Sequence, residues 1–124
     1  MIPRNVHGVL DYVVGLLLLL APSLLGFVEV EQARNAAYIA GVTTLVYSLL
    51  TSYEFGLLKL IPFGVHLTLD TIAGIFLIAS PWLMGFADQV VVPHVLVGTL
   101  ELVVVFLTRR SASRNPTTPA AHAP

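Results

Sequence analysis

Two histidine–aspartate pairs are the residues of this chain best suited to chemistry. His7 and Asp11 lie four residues apart, and His66 and Asp70 repeat that spacing. In a helix this spacing places both side chains of a pair on one face. If the pairs converge, they offer two imidazoles and two carboxylates to a metal such as zinc. They also suit a proton relay in which each aspartate fixes a histidine tautomer.

A structural role is the alternative, and we favour it. Each pair falls in the first turns of a predicted helix, where the helix dipole stabilises a carboxylate and water is within reach. A bonded pair there would hold helix ends together. We therefore predict no metal, with His7, Asp11, His66 and Asp70 as the candidate ligands if an ion is bound.

Glu101 and His94 are further ionisable residues inside predicted membrane segments. An ionised carboxylate midway along a membrane helix, as at Glu101, costs ~2.5 kcal/mol or more. Glu101 therefore indicates either a proton or ion path, or an interhelical hydrogen bond. It shares a helical face with Thr108, and the facing polar groups on the second helix are Thr43, Thr44, Tyr47, Ser48 and Thr51. His94 is a candidate cofactor ligand, for haem iron or a chlorophyll magnesium, and the alternative is a bond to a neighbouring helix. We predict no catalytic residue and no cofactor.

Composition places these residues in lipid. The chain has 124 residues, of which 56% are hydrophobic and only 10% charged, and its mean hydropathy is +0.88. A chain this short has too little interior to hide so much apolar surface from water. The net charge of -1 and the lack of a basic stripe argue against nucleic acid. The absence of cysteine excludes disulfides and thiolate metal sites.

Four apolar stretches are long enough to cross a bilayer as helices, at residues 6–27, 33–52, 65–86 and 90–108. The predicted fold is an all-α polytopic membrane protein. The connection at 53–64 is either a loop or a short interfacial helix. In each of two matching units, Pro-x-Leu-x-Gly-Phe, the proline and glycine are expected to end a helix.

The distribution of basic residues predicts the orientation. Five lie before the first segment, between the second and third, or after the fourth: Arg4, Lys59, Arg109, Arg110 and Arg114. Only Arg34 lies in a loop on the other side. Because basic residues are retained in the cytoplasm, both termini and the middle loop are predicted there.

The chain contains an internal repeat. At an offset of 59 residues, positions 7–27 match 66–86, with nine identities in 21 positions that include both His/Asp pairs. The second helices match more weakly, with Gly41 and Leu45 on Gly98 and Leu102. We therefore predict two helical hairpins as parallel repeats, 3–52 and 62–108, within a membrane domain of residues 1–110. A Pro/Ala/Thr-rich cytoplasmic tail follows at 111–124.

The repeated frame H-x-x-x-D-x-x-x-G…P-x-L-x-G-F, with Ser80-Pro81-Trp82 in its second copy, resembles the SPW-repeat family of small bacterial membrane proteins. The first copy departs from the triplet as Ala21-Pro22-Ser23. The resemblance covers nearly all of residues 3–108. It implies a bacterial membrane protein built of paired helices and supplies no activity. We therefore predict a multi-pass protein of the bacterial inner membrane.

Three functions follow as hypotheses. The leading one is a non-catalytic accessory or structural subunit of a larger membrane complex of respiratory or photosynthetic type, or a homo-oligomer, because no nucleophile constellation or cofactor motif is present. The second is a small transporter or proton-conducting protein that uses Glu101. The third is a metal, haem or chlorophyll binder that uses the His/Asp pairs or His94.

Overall fold

The protein is built of four helices. The computed structural model describes residues 2–51, 53 and 55–114. Within them α1 spans Arg4–Leu24, α2 spans Glu31–Leu49, α3 spans Phe63–Leu83 and α4 spans Val92–Arg114. These residues form no strand, so the all-helical prediction is confirmed for them. The predicted tail begins within α4, and residues 115–124 lie outside the described part of the chain.

The first three helices begin two residues earlier and end three residues earlier than the apolar stretches suggest. Prolines explain the starts of α1 and α3, because Pro3 and Pro62 occupy their N-cap positions. Glycines explain the ends of the same two helices. Gly26 and Gly85 adopt φ of 77° and 75°, a left-handed conformation that costs glycine little and typically terminates helices.

The same hydrogen bond closes α1 and α3 at their carboxyl ends. The amide of Phe27 donates to the carbonyl of Pro22 at 2.9 Å, and that of Phe86 donates to Pro81 at 2.8 Å. These are the 6→1 bonds of a Schellman motif. The prediction that the Pro-x-Leu-x-Gly-Phe units end helices is therefore confirmed.

The connection between α2 and α3 is a loop. No helix is present among its described residues, so the interfacial-helix alternative is wrong for them. The loop turns back onto the end of α2, where the amides of Leu60 and Ile61 donate to the carbonyl of Leu50 at 2.7 and 2.8 Å. Thr51 pairs with Ile61 in an isolated bridge. This return holds Thr51 beside the beginning of α3.

Glycines allow the helices to approach closely. The most extensive contacts join α1 to α2 and α3 to α4. A Cβ atom added to Gly74 would lie 3.0 Å from the carbonyl oxygen of Gly98, and one added to Gly41 would lie 3.0 Å from that of Gly15. Small residues in such contacts let membrane helices pack backbone to backbone. The two contacts occupy equivalent places in the two halves of the chain.

The outer surface is apolar, as expected for a membrane protein. Among the described helices, Arg4–Leu24, Phe63–Leu83 and Val92–Arg109 are long and apolar enough to cross a bilayer, with mean hydropathies of 1.7, 1.6 and 1.6. Their exposed side chains include Leu20, Ile75 and Phe106. The protein is therefore a small multi-pass membrane protein.

α2 does not reach the same hydropathy, because its first turns carry polar residues: Glu31, Gln32, Arg34 and Asn35. The crossing expected at residues 33–52 therefore stays a prediction. The later part of α2 exposes Ile39, Val42 and Val46, as a lipid-facing helix would.

Candidate functional site

The two His/Asp pairs meet in the interior of the protein. α1 and α3 each present a pair one to two turns after the proline at their start. The two pairs meet although α1 packs mainly against α2, and α3 mainly against α4. His7, Asp11, His66 and Asp70 are all buried, with 0–7% of their surfaces exposed. One donor atom from each lies within 4.8 Å of the others. We call this group the His–Asp centre.

The shortest bonds of the His–Asp centre cross between the pairs. His7 Nε2 lies 2.7 Å from Asp70 Oδ2, and His66 Nε2 lies 2.7 Å from Asp11 Oδ2. The distances within each pair are longer, 3.2 Å from His7 to Asp11 and 3.1 Å from His66 to Asp70. The four side chains thus form a closed ring with approximate twofold symmetry. Sequence reasoning gave this convergence as one alternative and favoured bonded pairs at each helix end.

Two threonines complete the ring. His7 Nδ1 lies 2.9 Å from Thr108 Oγ1, and His66 Nδ1 lies 2.7 Å from Thr51 Oγ1. Each threonine hydroxyl donates its hydrogen to a backbone carbonyl one turn earlier, Thr108 to Val104 at 2.7 Å and Thr51 to Tyr47 at 2.6 Å. Each Oγ1 is therefore an acceptor toward its histidine, so both Nδ1 atoms carry hydrogen.

This tautomer determines what the Nε2 atoms can do. If they also carry hydrogen, both imidazoles are cations that donate to the two carboxylates. If they do not, their lone pairs face carboxyl oxygens, an arrangement that is stable when the carboxyl groups carry the protons or when a metal cation lies between them. The His–Asp centre therefore fits either two protonated His–Asp pairs or a bound metal.

Sequence reasoning missed Thr51 and Thr108 as partners of the histidines. The sequence pattern predicts both threonines on the polar helix faces that surround Glu101. A signal was available, because the offset of 57 residues that relates Gly41 to Gly98 also relates Thr51 to Thr108. The weaker repeat, which relates the second helices of the two halves, therefore also relates the two threonines that bond the histidines.

The symmetry breaks on one side of the His–Asp centre. The hydroxyl of Tyr47 on α2 donates to Asp70 Oδ1. The position equivalent to Tyr47 on α4 is Val104, which has no polar group to offer Asp11. A void of about 10 Å³, lined by residues that include His7, Asp11, Val104 and Glu101, lies on that side. It is about the size of one water molecule.

Glu101 extends the polar interior deeper into the protein. Its side chain is buried, and its Oε2 atom has no hydrogen-bond partner. The expected partners lay on α2, and one of them, Tyr47, bonds Asp70 instead. Glu101 therefore lines the void beside the His–Asp centre with unused hydrogen-bonding capacity.

Tyr53 covers the His–Asp centre on the loop side. Its ring centroid lies 5.3 Å from that of His66 and 6.0 Å from that of Phe63. Burial raises the pKa of the Tyr53 phenol, so this ring stays uncharged. Together with Phe63, which stacks on His66 with centroids 5.8 Å apart, it shields the His–Asp centre from water.

His94 lies apart from the His–Asp centre. Its Nε2 atom lies 2.9 Å from the carbonyl oxygen of Ala33, which joins α4 to α2. Its ring packs between Phe27 and Phe86, with centroid distances of 5.3 and 4.7 Å. It also lines an apolar pocket of about 210 Å³ between α1 and α4, to which Leu96 contributes. The bond between His94 and Ala33 is the interhelical alternative predicted for His94. The role of His94 as a cofactor ligand stays a prediction.

Comparison with known protein families agrees with the repeated sequence frame. The family model of the SPW repeat domain matches residues 5–108, which include the whole His–Asp centre and Glu101. No curated protein and no solved structure matches the chain.

Proposed function

The chain belongs to the SPW repeat family, and we propose that it is a non-catalytic accessory or structural subunit of a larger membrane complex, of respiratory or photosynthetic type. The observation that carries the proposal is how the most reactive groups use their hydrogen bonds. The His–Asp centre makes them within the protein, and together they join all four helices. A rigid frame of this kind suits a protein that supports others.

The bonds of the His–Asp centre can be followed from helix to helix. His7 on α1 reaches Asp70 on α3 and Thr108 on α4. His66 on α3 reaches Asp11 on α1 and Thr51, which follows α2. Ion pairs held in low dielectric with their remaining hydrogens bonded are costly to break. They favour one arrangement of the helices and a constant outer surface for a partner.

We propose four crossings, with the two hairpins as parallel repeats and α2 as the fourth membrane helix. The His–Asp centre then lies at the cytoplasmic end of the bundle in a bacterial inner membrane, with both termini on that side. The clustering of basic residues on this side, with Arg34 on the other, supports the orientation. The exposed apolar face of α2 supports its insertion into lipid.

Native purification tests the accessory role. The tagged full-length protein is extracted from its own membranes in a mild detergent, and its mass is measured on native gels together with the proteins that co-purify. We expect a complex much larger than 13.3 kDa that contains specific partners or further copies. Asp70→Asn should reduce that complex, because it opens the His–Asp centre, whereas the exposed Asp88→Asn should not. Migration only as a free monomer would refute the proposal.

A second candidate function is supported by the void beside Glu101. A carboxyl group with an unused oxygen, next to ion-paired histidines, has the elements of a short proton path. Purified protein in liposomes should then dissipate an imposed pH gradient, and Glu101→Gln should slow the flux at least tenfold, while Glu29→Gln in the outer loop should not. Absence of flux from the unmodified protein removes this candidate.

A further inference from the structure

We propose that the His–Asp centre binds one divalent transition-metal ion, and that Zn²⁺ is the ion its donor set fits best. The inference rests on the structural role proposed above, because the ion would join α1 and α3 at the same centre. Two imidazole nitrogens and two carboxylate oxygens are a donor set that zinc accepts in proteins.

The spacing of the donor atoms agrees with this ion. A tetrahedral site with metal–ligand bonds of ~2.0 Å separates neighbouring ligand atoms by about 3.3 Å. The four histidine–aspartate distances around the ring are 2.7, 2.7, 3.1 and 3.2 Å, with Asp11 using one oxygen toward His66 and the other toward His7. One ligand atom from each of the four residues lies within 4.8 Å of the others. Side-chain adjustments that bring these separations to about 3.3 Å would therefore place the ion at the middle of the ring.

The tautomer of the histidines prepares them as ligands. Thr51 and Thr108 accept hydrogen from the Nδ1 atoms, which directs both Nε2 atoms toward the carboxylates. Metal-binding histidines in proteins are commonly oriented by such a bond from the other ring nitrogen. The threonines are in turn fixed by their bonds to Tyr47 and Val104 carbonyls. These bonds satisfy the buried Nδ1 atoms in a structural role, and they also fix the orientation of the histidines that a metal site needs.

The charges balance in both states. Two imidazolium groups and two carboxylates sum to zero, and so do two neutral imidazoles, two carboxylates and one divalent cation. Binding of the ion releases the two Nε2 protons to the solvent and forms four bonds from the ligand atoms to the metal. Because neither state leaves a net charge in a low-dielectric interior, the exchange carries no large electrostatic penalty.

Glu101 supplies an independent observation. Its side chain is 7% exposed, its Oε2 atom has no partner, and it lines the void that also touches His7, Asp11 and Asp70. A carboxyl group turned toward a void of about one water molecule can hold a water that hydrogen-bonds a carboxylate oxygen not used by the metal. Nothing else among the described residues uses this oxygen.

The test uses the full-length protein in detergent, freed of metal with a chelator. Zn²⁺ binding is measured by calorimetry and elemental analysis, and Co²⁺ serves as a spectroscopic probe of tetrahedral coordination. We expect one Zn²⁺ per chain and visible Co²⁺ absorption bands. Asp11→Asn and His66→Gln should abolish both signals, and His94→Gln, a buried histidine outside the centre, should retain them.

Thr51→Val keeps the result decisive if ligand variants fail to fold. Loss of the Nδ1 acceptor should weaken Zn²⁺ binding by about 10- to 100-fold in a protein that keeps its helical circular dichroism. Folded wild-type protein that binds no Zn²⁺ at micromolar concentrations would overturn the proposal, and so would equal binding by the Asp11→Asn and Thr51→Val variants. Absence of metal from a native complex that still contains its partners would remove the metal site and leave the accessory role standing.

Discussion

Replacing Gly98 by alanine tests how closely α3 and α4 pack. The added Cβ atom would lie 2.6 Å from the carbonyl oxygen of Gly74 and 2.8 Å from Cγ1 of Ile78. It would also lie 3.0 Å from the backbone nitrogen of Ile78. Since nonbonded heavy atoms are comfortable at ~3.5 Å or more, the helices must separate locally by about 1 Å.

The expected cost follows from this displacement. An extra methyl group in a well-packed interior typically destabilises a protein by ~1–3 kcal/mol. Gly98→Ala should fall in the upper half of this range, because two of the close contacts of the added Cβ atom are with rigid backbone. Gly74→Ala should cost less, because its closest contact is 3.0 Å. The measurement is the free energy of unfolding in mixed micelles, from helical circular dichroism during titration with sodium dodecyl sulfate.

Gly64 provides the matched control. It lies in the first turn of α3, and a Cβ atom there meets nothing within 4 Å. Because alanine also favours helix, Gly64→Ala should be neutral or stabilising by up to about 1 kcal/mol. If Gly98→Ala is as harmless as Gly64→Ala, the close approach of α3 and α4 is wrong.

Three other predictions concern the helix ends, the topology and the site. Gly26→Ala should destabilise the protein by about 1 kcal/mol in the same titration, because alanine resists the left-handed backbone at that position; no change would contradict the assigned helix end. Single cysteines at Glu29 and Lys59 of this cysteine-free chain should react with impermeant reagents from opposite sides of the membrane, whereas labelling from one side would show that α2 does not cross. Thr108→Val should destabilise the protein by ~1–3 kcal/mol, because it leaves a buried His7 nitrogen without its acceptor; a cost below about 0.5 kcal/mol would argue against this bond.

The helices could be predicted from the sequence, because long apolar runs leave few alternatives in lipid. Their limits were less accurate. Pro3 and Pro62 set the starts of α1 and α3, and Gly26 and Gly85 set their ends, so both helices lie closer to the amino terminus than their apolar runs indicate. Local backbone preference, rather than hydrophobicity, determines where such a helix begins and ends.

The composition of the His–Asp centre could also be predicted, but its connectivity could not. The i,i+4 spacing indicates that His7 can reach Asp11, and it does, at 3.2 Å. The shorter bond runs to Asp70, 63 positions away. Which partner is nearer depends on the separation and rotation of α1 and α3, and these follow from packing that no single helix encodes.

Departures from the repeat explain the remaining errors. Tyr47 and Val104 occupy equivalent positions, yet only the tyrosine can bond an aspartate. Consequently Tyr47 is not available to Glu101, whose Oε2 atom lacks a partner. Polar residues on facing helices identify candidate bonds, and competition among acceptors decides which of them form.

The two halves of the protein are bonded to each other through the His–Asp centre. A double-mutant cycle between His7→Ala and Asp70→Asn measures this directly from four unfolding free energies. We predict a coupling of at least ~1.5 kcal/mol for this buried pair, while His7→Ala combined with Asp88→Asn should be additive. Additivity of His7→Ala and Asp70→Asn, within about 0.5 kcal/mol, would contradict the claim.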